Sequence, residues 1–134
     1  MNLLDQLRRD EGVKYEPYVD SRGFVTIGAG TKLPITDGEV NALLELRLTI
    51  VTTELTSSLP WLVAQVDEVR RNALRNMAYN LGVPRLLEFK KMLHAMQTGN
   101  WTQAAVEALD SDWSRQVGAR AIRLAKQIKT GVMQ

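Results

Sequence analysis

Three residues near the start of the chain have types and spacing that could do chemistry: Glu11, Asp20 and Thr26. They fall in the stretch Glu11-Gly-Val-Lys-Tyr-Glu-Pro-Tyr-Val-Asp20-Ser-Arg-Gly-Phe-Val-Thr26-Ile-Gly-Ala-Gly30. Glu11 closes an apolar-periodic segment, so it sits where a helix macrodipole is negative and disfavours a carboxylate by ~0.3–1 kcal/mol. An acid kept in such a place is better suited to donating a proton than to stabilising a helix. That field is too weak to make a general acid near neutrality, and desolvation would have to help. A lone glutamate here reads as a solvated helix end. With Asp20 and Thr26 close behind it, the group reads as a site.

The elements that must position these residues are short. Leu3, Leu4 and Leu7 share one face of a helix over residues 2–11, and Gly12 is the permissive residue on which helices often end. Tyr18-Val-Asp20 and Phe24-Val-Thr-Ile27 are β-prone runs separated by Ser21-Arg-Gly23, which predicts a hairpin with a three-residue loop. Gly28 and Gly30 then mark close backbone approach or a sharp exit rather than a longer strand.

Glu-Gly, then Tyr-x-Asp, Gly and Thr-Ile-Gly-x-Gly, in this order and at this spacing, resemble the phage-type lysozymes of the T-even endolysin class, glycoside hydrolase family 24. The resemblance implies a catalytic triad at Glu11, Asp20 and Thr26. It also implies substrate contacts at Gly30, Lys32, Tyr79 and Asn80, and a supporting arginine at Arg120. The implied fold class is α+β, mostly α: a small N-terminal lobe with a β-hairpin (about 12–35), a connecting helix (about 36–58) and a larger helical lobe (1–11 and 59–134), in one lysozyme-like domain.

The remaining pattern agrees with that layout. Thr31-Lys-Leu-Pro34-Ile reads as a short connection. Thr36-Asp-Gly-Glu39 matches a capping box, and Val40, Leu43, Leu44, Leu48, Val51 and Leu55 continue as one apolar stripe. That helix is about twenty residues, or ~30 Å, long. Asp67 can cap the next, in which Val69, Ala73, Leu74, Met77, Ala78 and Leu81 form an apolar face ending at Gly82, with Arg70, Arg71 and Arg75 on the wet side. The run Arg70–Gly82 is similar to the family's central helix of the larger lobe, where the residues matching Tyr79 and Asn80 face the cleft. A structural reading, with Tyr79 packed and Asn80 capping near Gly82, stands equally beside it. Leu86, Phe89, Met92, Leu93 and Met96 repeat with helical spacing after Pro84, and Asn100-Trp-Thr-Gln103 opens a further helix. Trp101 and Trp113 read as packing anchors. A last helix is predicted from about Gly118 to Lys129. Trp113-Ser-Arg-Gln-Val-Gly-Ala-Arg120-Ala-Ile-Arg123 resembles the family's Arg-Ala-x-Arg element. By that match Arg120 approaches the catalytic glutamate, favouring its ionised form, and Arg123 partners an acid on the first helix.

Length and composition bound the function. A chain of 134 residues makes one domain and can bury a core without metal or disulfide staples. It contains no cysteine, which excludes disulfides and thiolate metal sites, and a single histidine, His94, which builds no histidine-based centre. No cofactor or metal is expected. No apolar run reaches the ~18–20 residues of a membrane span, and no signal peptide is visible. Residues 1–67 carry 6 basic and 10 acidic side chains, a net −4, whereas residues 68–134 carry 11 and 5, a net +6. The basic half would suit a polyanion such as nucleic acid or wall polymers, or be a solvated surface. No base-reading helix stands out, so no nucleic-acid partner is expected.

What the resemblance implies is hydrolysis of the bond between N-acetylmuramic acid and N-acetylglucosamine in peptidoglycan glycan strands. Such chemistry usually sets two carboxylates of different protonation around an oxocarbenium-like transition state. Glu11 would be the acid, and Asp20 with Thr26 would hold and activate a water for inverting attack. The alternative is a wall- or glycan-binding module on the same fold with little turnover. The expected setting is a monomer made in the host bacterial cytoplasm that acts on the cell wall after release. It would reach the wall through a separate pore-forming protein, on a virion, or after lysis. Two departures stand out: Thr31 replaces the family's usual histidine, and only five residues separate Gly30 from the capping box, which implies a trimmed first lobe.

Overall fold

A computed structural model describes all 134 residues. The chain groups into two compact units, Met1–Leu43 and Leu44–Gln134.

The first unit begins with helix α1 (Leu3–Glu11). Asn2 accepts from the Asp5 amide at 2.9 Å while Asp5 reaches back to the Asn2 amide, so two otherwise unpaired donors at the helix start are satisfied. Gly12, at φ +74°, ends the helix and turns the chain into β1 (Lys14–Val19). Strands β1, β2 (Val25–Gly28) and β3 (Thr31–Lys32) form an antiparallel sheet in that order. The hairpin matches expectation; the third strand does not. Thr31 and Lys32, read from sequence as part of a connection, pair with Ile27 and Thr26, and the Leu33 amide extends the ladder to the Val25 carbonyl at 2.8 Å. Two residues give almost no periodic signal, which is why this strand is invisible in the sequence.

Strand β1 is irregular. Its pairing runs from Tyr18↔Thr26 and Val19↔Val25 to Lys14↔Gly28, so it holds two more residues than the facing segment of β2. Pro17 lies in this bulge, where its missing N–H leaves no gap in the ladder. The bulge has a positional consequence: it pairs Lys14, three residues after Glu11, with Gly28, two residues before Gly30. The β2–β3 turn is thereby brought back to the end of α1.

Helix α2 (Asp37–Ser58) starts at the expected capping box, with Glu39 accepting from the Thr36 amide and Thr36 from the Glu39 amide. It runs across the boundary between the units. Of its apolar stripe only Leu55 is fully buried, whereas Val40, Leu43, Leu44 and Leu48 are each about half exposed.

The second unit is helical: α3 (Leu62–Gln65), α4 (Glu68–Leu81), α5 (Val83–Leu86), α6 (Lys90–Gln97), α7 (Trp101–Leu109), α8 (Asp112–Val117) and α9 (Ala119–Thr130). Its core comes from short periodic faces. Ala73, Leu74, Met77 and Ala78 of α4 meet Ala121, Leu124 and Ile128 of α9, with Met92 and Met96 of α6 and Ala104 and Ala108 of α7. The alanines let helices approach closely, and the methionines fill irregular gaps. One expected helix is divided: the segment after Pro84 breaks at Leu87–Phe89. The last helix starts where expected, just after Gly118, and the short α8 before it is an addition.

Nor does Arg70 take the wet side. Its guanidinium stacks on Trp101 at 4.3 Å and pairs with Asp67 at 2.9 Å. It also donates to the Ile128 and Lys129 carbonyls at 2.6 and 3.2 Å, covering the C-terminal end of α9. Arg71 likewise turns inward, donating to the Val63 and Val66 carbonyls. No helix is long and apolar enough to cross a membrane.

Candidate active site

The hairpin fixes Asp20 by its own turn. Asp20 and Phe24 face each other across the three-residue loop, with the Asp20 amide donating to the Phe24 carbonyl at 2.9 Å and the Gly23 amide to the Asp20 carbonyl at 3.0 Å. The carboxylate completes the turn, Oδ1 accepting from the Arg22 amide at 2.9 Å and the Phe24 amide at 2.8 Å. Its second oxygen, Oδ2, receives no protein hydrogen bond. Asp20 is thus held by one oxygen, while the other is free to accept from a further partner.

Pairing and the two-residue period of a strand place Tyr18, Asp20, Phe24, Thr26 and Lys32 on one face of the sheet. Asp20 and Thr26 are diagonal neighbours there, at the ~7–8 Å backbone spacing of such positions. Thr26 is buried at 2% exposure, and its hydroxyl donates to the Phe24 carbonyl at 2.9 Å. A hydroxyl committed as donor can only accept from a further partner. Lys32 and Arg22 both lie over the Phe24 ring, at 5.5 and 5.9 Å, so two cations flank Asp20's turn. Residue type and spacing had singled out neither Arg22 nor Phe24.

Glu11, at the last position of α1, is exposed. Neighbouring Asp10 is paired with Arg9 at 2.8 Å, and Arg8 and Arg9 both place positive charge in the last turn, offsetting the field expected from the macrodipole. The Glu11 side chain lies along Gly30. A methyl group built on that glycine would come within 2.6 Å of Glu11 Oε2 and 2.8 Å of Cδ. The sheet unit therefore brings Glu11 and Gly30 together on one side, and Asp20, Thr26 and Lys32 together on the sheet face.

Tyr79, Asn80 and Arg120 belong to the helical unit. Tyr79 and Arg120 line an open groove of about 840 Å³ with Leu44, Leu48, Asn72 and Asn76. Arg120 is anchored there by Asn76: Nε and Nη2 donate to Oδ1 at 3.0 and 2.7 Å, and Nη2 to the carbonyl at 3.3 Å. Asn76 was missed in sequence, though its place three residues before Tyr79 on the same helical face was a usable signal. Asn80 accepts from Trp113 Nε1 at 2.9 Å, and Trp113 stands edge-on to Phe89. Its side-chain carbonyl thus holds a buried tryptophan instead of capping the helix, which Gly82 ends. No group of three or more histidine, cysteine or acidic side chains is arranged to hold a metal.

The phage lysozyme family pattern matches residues 8–128. Two proteins of Dictyostelium discoideum, probable T4-type lysozymes 1 and 2, are each 29% identical to this chain, covering 98% and 99% of it and 96% of their own length. The pre-baseplate central spike protein Gp5 of Enterobacteria phage T4 is 30% identical over all of this chain, which spans 28% of that larger protein. The first alignment runs over 163 positions against 134 residues here, so at least 29 positions (163 less 134) lie opposite no residue of this chain. The chain belongs to the phage lysozyme family and is, by that membership, a glycoside hydrolase.

Proposed function

We propose that the protein cleaves peptidoglycan between N-acetylmuramic acid and N-acetylglucosamine by direct, inverting attack of water, and so lyses the host wall. Glu11 donates its proton to the departing sugar oxygen. Asp20, through the free Oδ2, and Thr26, through the lone pairs of a hydroxyl already spent as donor, each accept a hydrogen from one water. The water's own lone pair is then left to attack the anomeric carbon, and its proton passes to Asp20. Inverting enzymes leave ~6.5–9.5 Å between the carboxyl groups for this water. The observation that carries the reading is the state of Asp20, held by two amides at one oxygen and unpartnered at the other. Lys32, Gly30, Tyr79 and Asn80 are proposed on the substrate side, with Arg120 supporting.

The test is clearance of permeabilised Gram-negative cells, with release of reducing ends from defined glycan strands and NMR of the product anomer. Glu11→Gln should abolish both activities without changing the melting temperature. Equal activity in wild type and Glu11→Gln would remove the assignment. A second reading, a wall-binding module with little turnover, is favoured by the positions missing relative to the longer relatives. It predicts peptidoglycan pull-down without reducing ends. The protein is proposed to act as a monomer made in the host cytoplasm. It would reach the wall through a separate pore-forming protein or, as the name of the spike-protein relative favours, on a virion.

A further inference from the structure

The β2–β3 turn, Gly28-Ala29-Gly30, contains two glycines at positive φ, +68° and +78°, and they are not equivalent. A Cβ added at Gly28 would meet nothing within 4 Å. A Cβ added at Gly30 would lie 2.6 Å from Glu11 Oε2, 2.8 Å from Cδ and 3.2 Å from Cγ. Backbone conformation alone explains the first glycine. At the second, any side chain would also run into the outer part of the Glu11 side chain.

We infer that Gly30 is a positioning residue for the proton donor, its bare Cα forming the floor on which the Glu11 carboxyl rests. The inference builds on the reading of Glu11 as the acid. Glu11 is exposed, and no side chain hydrogen-bonds its carboxyl, so nothing else within its own unit sets the rotamer. The two parts are brought together by the backbone. Gly12 ends α1, Lys14 pairs with Gly28, and the turn after Gly28 carries Gly30 back beneath Glu11. With any side chain at position 30, Oε2 must withdraw by about 0.8 Å to regain ordinary contact distance (3.4 less 2.6 Å). A flexible glutamate can do so by rotating, so the loss appears in alignment with the leaving oxygen and not in folding. A displacement near 1 Å at a reacting group can lower turnover by about a hundredfold.

Gly28→Ala is the control, because it introduces the same backbone strain at a position that touches nothing. Both alanine variants should lower the melting temperature by a similar amount. Gly30→Ala alone should lower kcat by about a hundredfold with KM changed less than about threefold, whereas Gly28→Ala should keep kcat within about fivefold. Equal kcat in the two folded variants would overturn the inference while leaving Glu11 as the acid. Full activity in Glu11→Gln would overturn the reading beneath it. A second measurement needs no glycine variant. In a pH titration followed by NMR, the Gly30 α-protons of the wild type should shift with ionisation of Glu11, and this movement should vanish in Glu11→Gln. Gly30 resonances that titrate identically in both proteins would show the contact absent in solution and overturn the inference.

Discussion

The residues proposed for chemistry on the sheet and the residues that make the core belong to different regions built on different physics. All twenty-two buried apolar side chains lie between Leu55 and Ile128, and in residues 1–43 the one buried side chain is Thr26. The helical unit is held by close-packed apolar faces and by a few inward-turned cations such as Arg70. The sheet unit is held by local hydrogen bonds: the Asn2–Asp5 and Thr36–Glu39 boxes, the Asp20 turn and a three-stranded ladder. Local bonds of this kind contribute about 0.5–1.5 kcal/mol each and open individually, whereas a shared core opens as a whole. The sheet therefore gains precise placement of polar groups without gaining much resistance to local opening.

That contrast can be broken at its strong end first. Leu74 is fully buried in α4, and Leu74→Ala should destabilise the helical unit by about 2–5 kcal/mol, read from denaturant midpoints. Hydrogen exchange in the wild type should already be faster for amides of β1–β3 than for those of α4 and α9. In the variant the α4 and α9 amides should accelerate most. Sheet amides that rank among the slowest in the molecule would break the comparison. A smaller effect tests the cation at the edge of that core. Arg70→Met keeps the length of the side chain but leaves the Ile128 and Lys129 carbonyls uncovered, and should lose about 1.5–3 kcal/mol with fraying confined to the end of α9. The smallest effect concerns acid. Burial raises the Asp67 carboxyl, but the hydrogen bonds and charge of Arg70 outweigh it and hold the group below its ordinary value of 3.8. Its stabilisation is therefore complete above the unfolded value and fades as pH falls through the lower, folded one. Stability measured below about pH 4 should drop less steeply in Asp67→Asn than in wild type.

Features written in neighbouring residues were legible in the sequence: the Asp67 cap of α4, the capping box at Thr36, the hairpin around Ser21-Arg-Gly23 and the start of α7 at Asn100. The division after Leu86 was not. Leu86, Phe89 and Met92 keep a three-residue interval across the break, so the apolar period survives although the helix does not. Arg70 was misread for a related reason. Its position on the polar flank of α4 is right, but Trp101 and the end of α9 approach that flank from elsewhere in the chain. In the candidate site, residue types and order named Glu11, Asp20 and Thr26. The contact of Glu11 with Gly30 depends on a two-residue bulge in β1, which no periodic pattern announces.

The three tryptophans, Trp61, Trp101 and Trp113, all belong to the helical unit, while Tyr15 and Tyr18 accompany the sheet. Trp113 is nearly inaccessible and hydrogen-bonded through its indole nitrogen. Intrinsic emission excited at the red edge is therefore an optical readout of one half of the molecule. A thermal scan followed at that wavelength would record a cooperative, reassuring transition while the hairpin carrying Asp20 and Thr26 had already loosened unseen. Inactivation should precede the spectroscopic melt, and a label on the β1–β2 loop would close that blind spot.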